Sequence, residues 1–157
     1  MIKMTNLADY AVVLMSYIAA APQKTHSAAD IALATAVPAP TVSKILGAMA
    51  RAGLLISHRG LNGGFSMARA PEDISVADII STVDGPIALT NCIEHAPGEC
   101  GMEVGCGMRR HWQKINDAVR GALENIPLSD LTMTVPDFIS HSPSAPVMAG
   151  EEVKQAN

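Results

Sequence analysis

Cys92, Cys100 and Cys106 are the only cysteines in a chain of 157 residues, and all three fall in one short stretch. Pro97, Gly98, Gly101 and Gly105 lie among them and Gly107 follows, so neither a helix nor a strand runs comfortably through. Thiols on so pliable a loop can close around something that thiolate sulfur binds. Soft sulfur ligands at close quarters suit a metal ion or an iron–sulfur cluster. The bland alternative is an irregular loop with three unremarkable thiols. Three sulfurs also leave a four-ligand site one donor short, and cysteine spacing alone does not name the fourth.

The bulk numbers bound what such a loop could serve. The length suits one domain, or one small domain with an appended arm. Hydrophobic residues at 48% are ample for a core, whereas two Phe, two Tyr and one Trp are too few for a platform that stacks single-stranded bases. The net charge of −4 hides an asymmetry. Residues 1–70 carry six Lys/Arg against two Asp/Glu, and residues 71–157 carry five against thirteen. A basic front and an acidic rear fit a chain that docks a polyanion with one end only. No apolar run is long enough to span a bilayer. Lys3, the run 10–21 and the small residues Ala19, Ala20 and Ala21 superficially resemble a secretory signal. However, Asn6 and Asp9 interrupt its start, and Leu7, Tyr10, Val13, Leu14, Tyr17 and Ile18 fall at helical spacing. An amphipathic first helix and a cytoplasmic protein are expected. In that reducing compartment an odd cysteine count favours a ligand or redox role over a disulfide framework.

The elements that must position the loop read in order. A first helix spans roughly 5–21 and stops before Pro22. Ser27 and Asp30 resemble a capping box opening a second helix, 28–35. Val37-Pro38-Ala39-Pro40 makes a tight turn, and a third helix runs from Pro40 to about Ala52, closed by Gly53. Its stripe Val42, Ile45, Leu46 and Met49 should be buried, leaving Thr41, Ser43 and Lys44 exposed. The β-biased run 54–59, the glycine-rich turn 60–64 and the alternating run 65–68 form a hairpin. Three helices and a hairpin give the order of a winged helix-turn-helix, with the third helix in the major groove. A phosphate-cradling reading of the glycines is rejected, since a strand rather than a helix follows them. Ser75 caps a short helix, 76–83, that ends at Asp84-Gly85-Pro86. After the cysteine loop, Met108, Trp112, Ile115, Val119, Ala122 and Ile126 mark a heptad-like seam on a long helix, read as a dimerisation helix rather than one packed only on its own domain. The expected fold is mainly α with a small β-hairpin. It comprises a DNA-binding domain at 1–70, a connecting helix and linker at 71–90 and the cysteine loop at 91–107. The dimerisation helix and a short turn follow at 108–134, then a disordered tail at 135–157.

Four pieces together resemble the Rrf-type family of winged-helix repressors, which includes the iron–sulfur-sensing regulators IscR and NsrR. They are Thr5-Asn6-Leu7-Ala8-Asp9-Tyr10-Ala11, the helix end Ala50-Arg51-Ala52-Gly53-Leu54, the wing Arg59-Gly60-Leu61-Asn62-Gly63-Gly64-Phe65, and the three-cysteine loop. Pro38-Ala39-Pro40-Thr41-Val42-Ser43-Lys44 and Gly85-Pro86-Ile87-Ala88-Leu89-Thr90-Asn91-Cys92 are similar to the branch that regulates the SUF iron–sulfur assembly system. The likeness covers about 1–132. It implies a homodimer with one [2Fe–2S] or [4Fe–4S] cluster per subunit, held by Cys92, Cys100 and Cys106, whose state alters binding to a double-stranded DNA operator. This chain has a longer gap between its first two cysteines than IscR. It also has Arg109 where IscR places a ligating histidine, and arginine stays protonated. Asp9 matches the position from which NsrR supplies a carboxylate across the dimer, so it ranks first as fourth ligand. His111 ranks second, and His95, Glu94, Glu99 and Glu103 are also close along the chain.

On the DNA side, Thr41, Ser43 and Lys44 are the candidates for base edges and phosphates, and Arg59 for the minor groove, with Gly60 and Asn62 beside it in the wing. Ser43 stands where IscR has a glutamate that helps discriminate sequence, so the operator need not be the same. Competing readings are a regulator that senses oxidants through thiols, one that binds zinc, a nitric-oxide-sensing repressor of the same family, and an iron–sulfur carrier or assembly factor. No nucleophile–base pair or glycine-rich cofactor loop points to an enzyme, and no small-molecule substrate is expected.

Overall fold

A computed structural model describes residues 3–61, 63–90, 93 and 106–132. The chain folds into helices α1 (Asn6–Ala19), α2 (Ala28–Thr35) and α3 (Ala39–Arg51), a hairpin of β1 (Leu55–His58) and β2 (Gly64–Met67), then α4 (Val76–Asp84) and α5 (Arg109–Glu124). Short 3-10 turns occupy Pro71–Asp73 and Leu128–Leu131. Among the described residues the fold is mainly helical with one two-stranded antiparallel hairpin, as expected.

Local chemistry sets most of the boundaries. Thr5, Ser27 and Ser75 each accept a hydrogen bond from the backbone N–H three residues on, which satisfies an N-terminal donor that no helical carbonyl can reach. At Ser27 only this half of a capping box forms. The reciprocal arrangement appears at Ser75, whose own N–H donates to Asp78 Oδ2 at 2.9 Å. Ala36, left-handed at φ 56°, ends α2, and Pro38 caps α3 one residue earlier than the sequence suggested. Gly53, at φ +75°, closes α3: its N–H donates to Ala50 and that of Leu54 to Met49, with both Leu54 and Met49 buried.

The core gathers Leu14, Met15 and Ile18 of α1, Ile31 of α2, and Val42, Ile45, Leu46 and Met49 of α3, all at 0% exposure. Each such side chain contributes roughly 1.5–3 kcal/mol by leaving water. The α3 stripe is the one expected. The α1 stripe is not: Leu7, Tyr10, Val13 and Tyr17 are only half-buried, while Ala8, Ala11 and Met15 are buried. Ala8 meets Val76 and Ile80 of α4 in a second small cluster. Its small side chain lets two helices approach closely, which large-residue periodicity does not register. Thr5 Oγ1 also donates to both carboxylate oxygens of Asp84, at 2.9 and 2.7 Å, and so ties the start of α1 to the end of α4.

The hairpin registers Leu55 with Met67 and His58 with Gly64. It is joined to the body by paired backbone bonds between His26 and Phe65. Gly64 is required there, because a Cβ on it would lie 2.4 Å from the His26 carbonyl oxygen. After α5 the chain returns to the body: Leu128 N donates to Ile74 O, Val76 N donates to Ile126 O, and Leu128 is buried.

Candidate DNA-reading face and cysteine site

The face of α3 opposite its core stripe carries Pro40, Ser43, Lys44, Gly47 and Arg51, at the spacing of a single helical stripe. Ser43 and Lys44 are exposed as expected, but Thr41 is half-buried, since it flanks the core side of the helix. Arg51 is exposed on the same stripe, seven residues beyond Lys44, and extends the cationic line toward the wing. It was not among the sequence candidates, although the repeat of two turns was there to be read. At Gly47 an added Cβ would meet only the Arg51 guanidinium, at 3.4 Å. The fold itself therefore makes little demand for glycine in the middle of this outward stripe.

In the wing, His58 Nε2 lies 2.8 Å from Ser66 Oγ across the hairpin. Arg59, Gly60 and Leu61 are exposed beyond it, and Arg59 makes no ion pair among the described residues. Gly63 turns the tip, where a Cβ would stand 2.7 Å from the His58 carbonyl oxygen and 2.8 Å from that of Gly60. Asn62 lies outside the described residues. An outward α3 stripe beside a glycine-bent, arginine-tipped hairpin is the form that enters a major groove and the minor groove next to it.

Of the thiols, Cys92 and Cys100 lie outside the described residues, as do Glu94, His95, Glu99 and Glu103. Cys106 is a half-buried free thiol, three residues before α5 begins. Asp9 is exposed in the first turn of α1, and His111 is exposed in the first turn of α5. Among the described residues no group of three or more His, Cys, Asp or Glu is gathered as a metal site. The chain by itself therefore does not bring Cys106, Asp9 and His111 together. The donor chemistry still suits an iron–sulfur cluster: Cys106 is uncommitted to a disulfide, and sulfur dominates the set with two further thiols on the same loop.

The helix that leads away from this site is unlike the others. Of α5 only Asn116 is buried, at 1% exposure. Met108, Trp112, Ile115 and Ile126 are exposed at 52, 36, 44 and 38%, Val119 is half-buried and Ala122 exposed. The seam read in the sequence thus faces outward from the folded chain. A neighbouring strip of α5 holds it to the body, through Leu123 against the Ala8–Val76–Ile80 cluster and through Asn116. Asn116 carried no signal in the sequence, where an Asn among Gln, Lys and Asp reads as a solvated position. Among the described residues, no helix is long and apolar enough to cross a membrane.

A family model described as Rrf2, iron-dependent transcriptional regulator, matches residues 4–134. The HTH-type transcriptional regulator IscR of Photobacterium profundum is 28% identical over 130 residues, covering 82% of this chain and 74% of that protein. The HTH-type transcriptional regulator NsrR of Halalkalibacterium halodurans is 25% identical over 130 residues, covering 82% of this chain and 89% of that protein. Among solved structures, CymR (YrzC), the global cysteine regulator of B. subtilis, superposes with a TM-score of 0.64 at 26% identity, covering 84% of this chain and 97% of that one.

Proposed function

Because the chain belongs to the Rrf2 family of transcriptional regulators, and is not an enzyme, we propose that it is a cytoplasmic, iron–sulfur-sensing repressor of iron–sulfur assembly genes, of the SUF-system kind. Cys92, Cys100 and Cys106 hold one [2Fe–2S] or [4Fe–4S] cluster per subunit of a homodimer. Asp9, reaching across the dimer, is the fourth ligand, and His111 is second choice. The observation that carries the reading is the join between chemistry and assembly. Cys106, a free thiol, stands three residues before a helix whose apolar seam of Met108, Trp112, Ile115, Val119, Ala122 and Ile126 faces outward.

When bound, such a cluster supplies a group whose loss or oxidation reports iron and oxidant levels. The chain's own residues do the rest. The outward seam pairs two subunits and sets the spacing of their α3 helices and wings. Ser43, Lys44 and Arg59, with Thr41, Gly60 and Asn62 beside them, contact the operator duplex. A carboxylate on α1, the helix tied to α4 through Thr5 and Asp84, makes the fourth ligand sensitive to the angle between subunits. Ligand state then switches transcription only through a different DNA affinity of two dimer geometries. Three thiolates and one harder oxygen donor make the site more labile than four thiolates, which suits a sensor.

The deciding measurement is the ultraviolet–visible spectrum, with iron and sulfide content, of the anaerobically purified protein. A colourless, iron-free protein that resists reconstitution would sink the reading. Alanine at any one of Cys92, Cys100 or Cys106 should abolish stable binding and leave a folded dimer. Asp9→Ala should shift the spectrum and shorten the lifetime against chelators; if both match wild type, His111 takes its place. A second reading, thiol sensing, is favoured by the free, half-buried Cys106 and the likeness to a cysteine regulator. It predicts reversible oxidation of these thiols without iron or sulfide. Zinc in place of iron, or a nitric-oxide response by the bound cluster, would redirect the reading within the same family.

A further inference from the structure

Gly47 lies inside α3, four residues before the helix ends, at a place where glycine is less stable than alanine. Nothing within the fold calls for it. Its backbone is ordinary helix, and an added Cβ would meet only Arg51 Nη1, at 3.4 Å, in plain van der Waals contact. Gly63 and Gly64 differ, because a Cβ on either would strike a backbone carbonyl. The chain itself needs those two, whereas the bare backbone at 47 stays open to what approaches from outside. The same contact locates the Arg51 head group. Arg51 follows Gly47 by one turn and leans back along the helix, so its guanidinium lies over that bare backbone. Among the described residues, neither the Arg51 nor the Lys44 side chain has an ion pair or hydrogen bond. Both border one concavity of about 220 Å³, floored by Ile45 and Ala48 and walled by Leu7 of α1 and Val83 of α4. In a helix-turn-helix, base edges are met from the N-terminal part of the recognition helix. Gly47 and Arg51 belong to the C-terminal half of α3, on the flank that faces the body. A cation in the last turn also complements the helix dipole. That role does not account for a glycine one turn earlier.

We propose that Gly47 and Arg51 together seat one phosphate of the duplex backbone. Arg51 supplies the charge and a fork of N–H donors that fits a phosphate. Gly47 leaves one side of the guanidinium uncovered, so the phosphate can come close to the helix. A methyl at 47 would touch Nη1 and shield it from that side. Such a seat sets the depth and register of α3 in the groove without reading a base. This rests on the reading of α3 as the DNA-contacting helix, and is independent of what the thiols bind.

The test titrates the full-length protein with two probes over a series of salt concentrations. One is a duplex that the wild-type protein selects from a random pool, and the other a mixed-sequence duplex that it does not select. Gly47→Ala should raise the melting temperature by about 2–4 °C, since alanine suits a helix better. It should nevertheless weaken binding to both duplexes at least about threefold. A loss of affinity in a more stable protein does not come from a damaged fold. Arg51→Ala should weaken both duplexes by the same factor, about tenfold at low salt. It should also lower the slope of log affinity against log salt by about one. Arg51→Lys should keep the slope, because the charge stays. A Gly47→Ala protein that melts lower, or that binds with less than a threefold loss, overturns the seat. So does an Arg51→Ala slope equal to that of wild type. A loss confined to the selected duplex would make Arg51 a reader of bases and overturn the phosphate assignment. If Arg59→Ala weakens binding and Arg51→Ala does not, the DNA reading stands and only the seat falls. A wild-type protein that selects no duplex removes both.

Discussion

Helices α3 and α5 both carry regular apolar stripes, and they use them in opposite ways. On α3 the stripe Val42, Ile45, Leu46 and Met49 is wholly buried inside the fold, and the polar face turns outward. On α5 the stripe itself turns outward, and the helix is held to its own body by a polar residue, Asn116, and by Leu123. A domain this small gains its core mainly from α1–α4, with little surface left to cover a second stripe. The difference shows that periodicity identifies an apolar face but not whether the chain's own fold covers it.

That contrast can be broken most forcefully in the core. Ile45→Ala should cost about 2–5 kcal/mol in denaturant unfolding, because it removes fully buried methylenes and leaves a cavity. A loss below 1 kcal/mol would mean that the α3 stripe is not the foundation of the subunit. The matching change on α5, Trp112→Ala with Ile115→Ala, should leave helical circular dichroism intact. It should also weaken self-association by about 2 kcal/mol or more, read by sedimentation as a shift from dimer to monomer. If the double variant stays dimeric, the outward stripe has another use. Arg59→Ala sharpens the division of labour: operator binding should weaken by about 1–3 kcal/mol at fixed salt while the dimer is untouched. The smallest effect expected is from Thr5→Ala. Loss of the cap, and of the bonds to Asp84, should lower stability by about 1 kcal/mol. An unchanged melting temperature would show that the tie between α1 and α4 carries nothing.

Much of the fold was legible because its signals are local. Ser27 and Ser75 satisfy the donors of their own helices, and Gly53 takes the left-handed conformation that α3 needs to stop. Val42, Ile45, Leu46 and Met49 repeat at the period of the helix they form. The wing was readable from its glycines, though the reason for Gly64 lies in the carbonyl of His26, far away along the chain. The candidate site was legible in part. Composition singled out the cysteines, and helical spacing placed Ser43 and Lys44 on an outward face, yet the exposure of Thr41 was misjudged.

By itself, then, the sequence determined roughly where helices begin and end, that the α3 stripe avoids water and where the thiols are concentrated, since each depends on neighbours within one turn or one loop. The tertiary structure alone decided that α1 buries Ala8 and Ala11 rather than Leu7 and Tyr10, because close helix approach rewards small side chains. It decided that Thr5 would meet Asp84, and that Asn116 would leave solvent to pair with Ile87 and Leu89. Each of these joins residues many positions apart, and a polar side chain carries no sign of whether its partner will be water or distant backbone. That choice is made only when the elements pack.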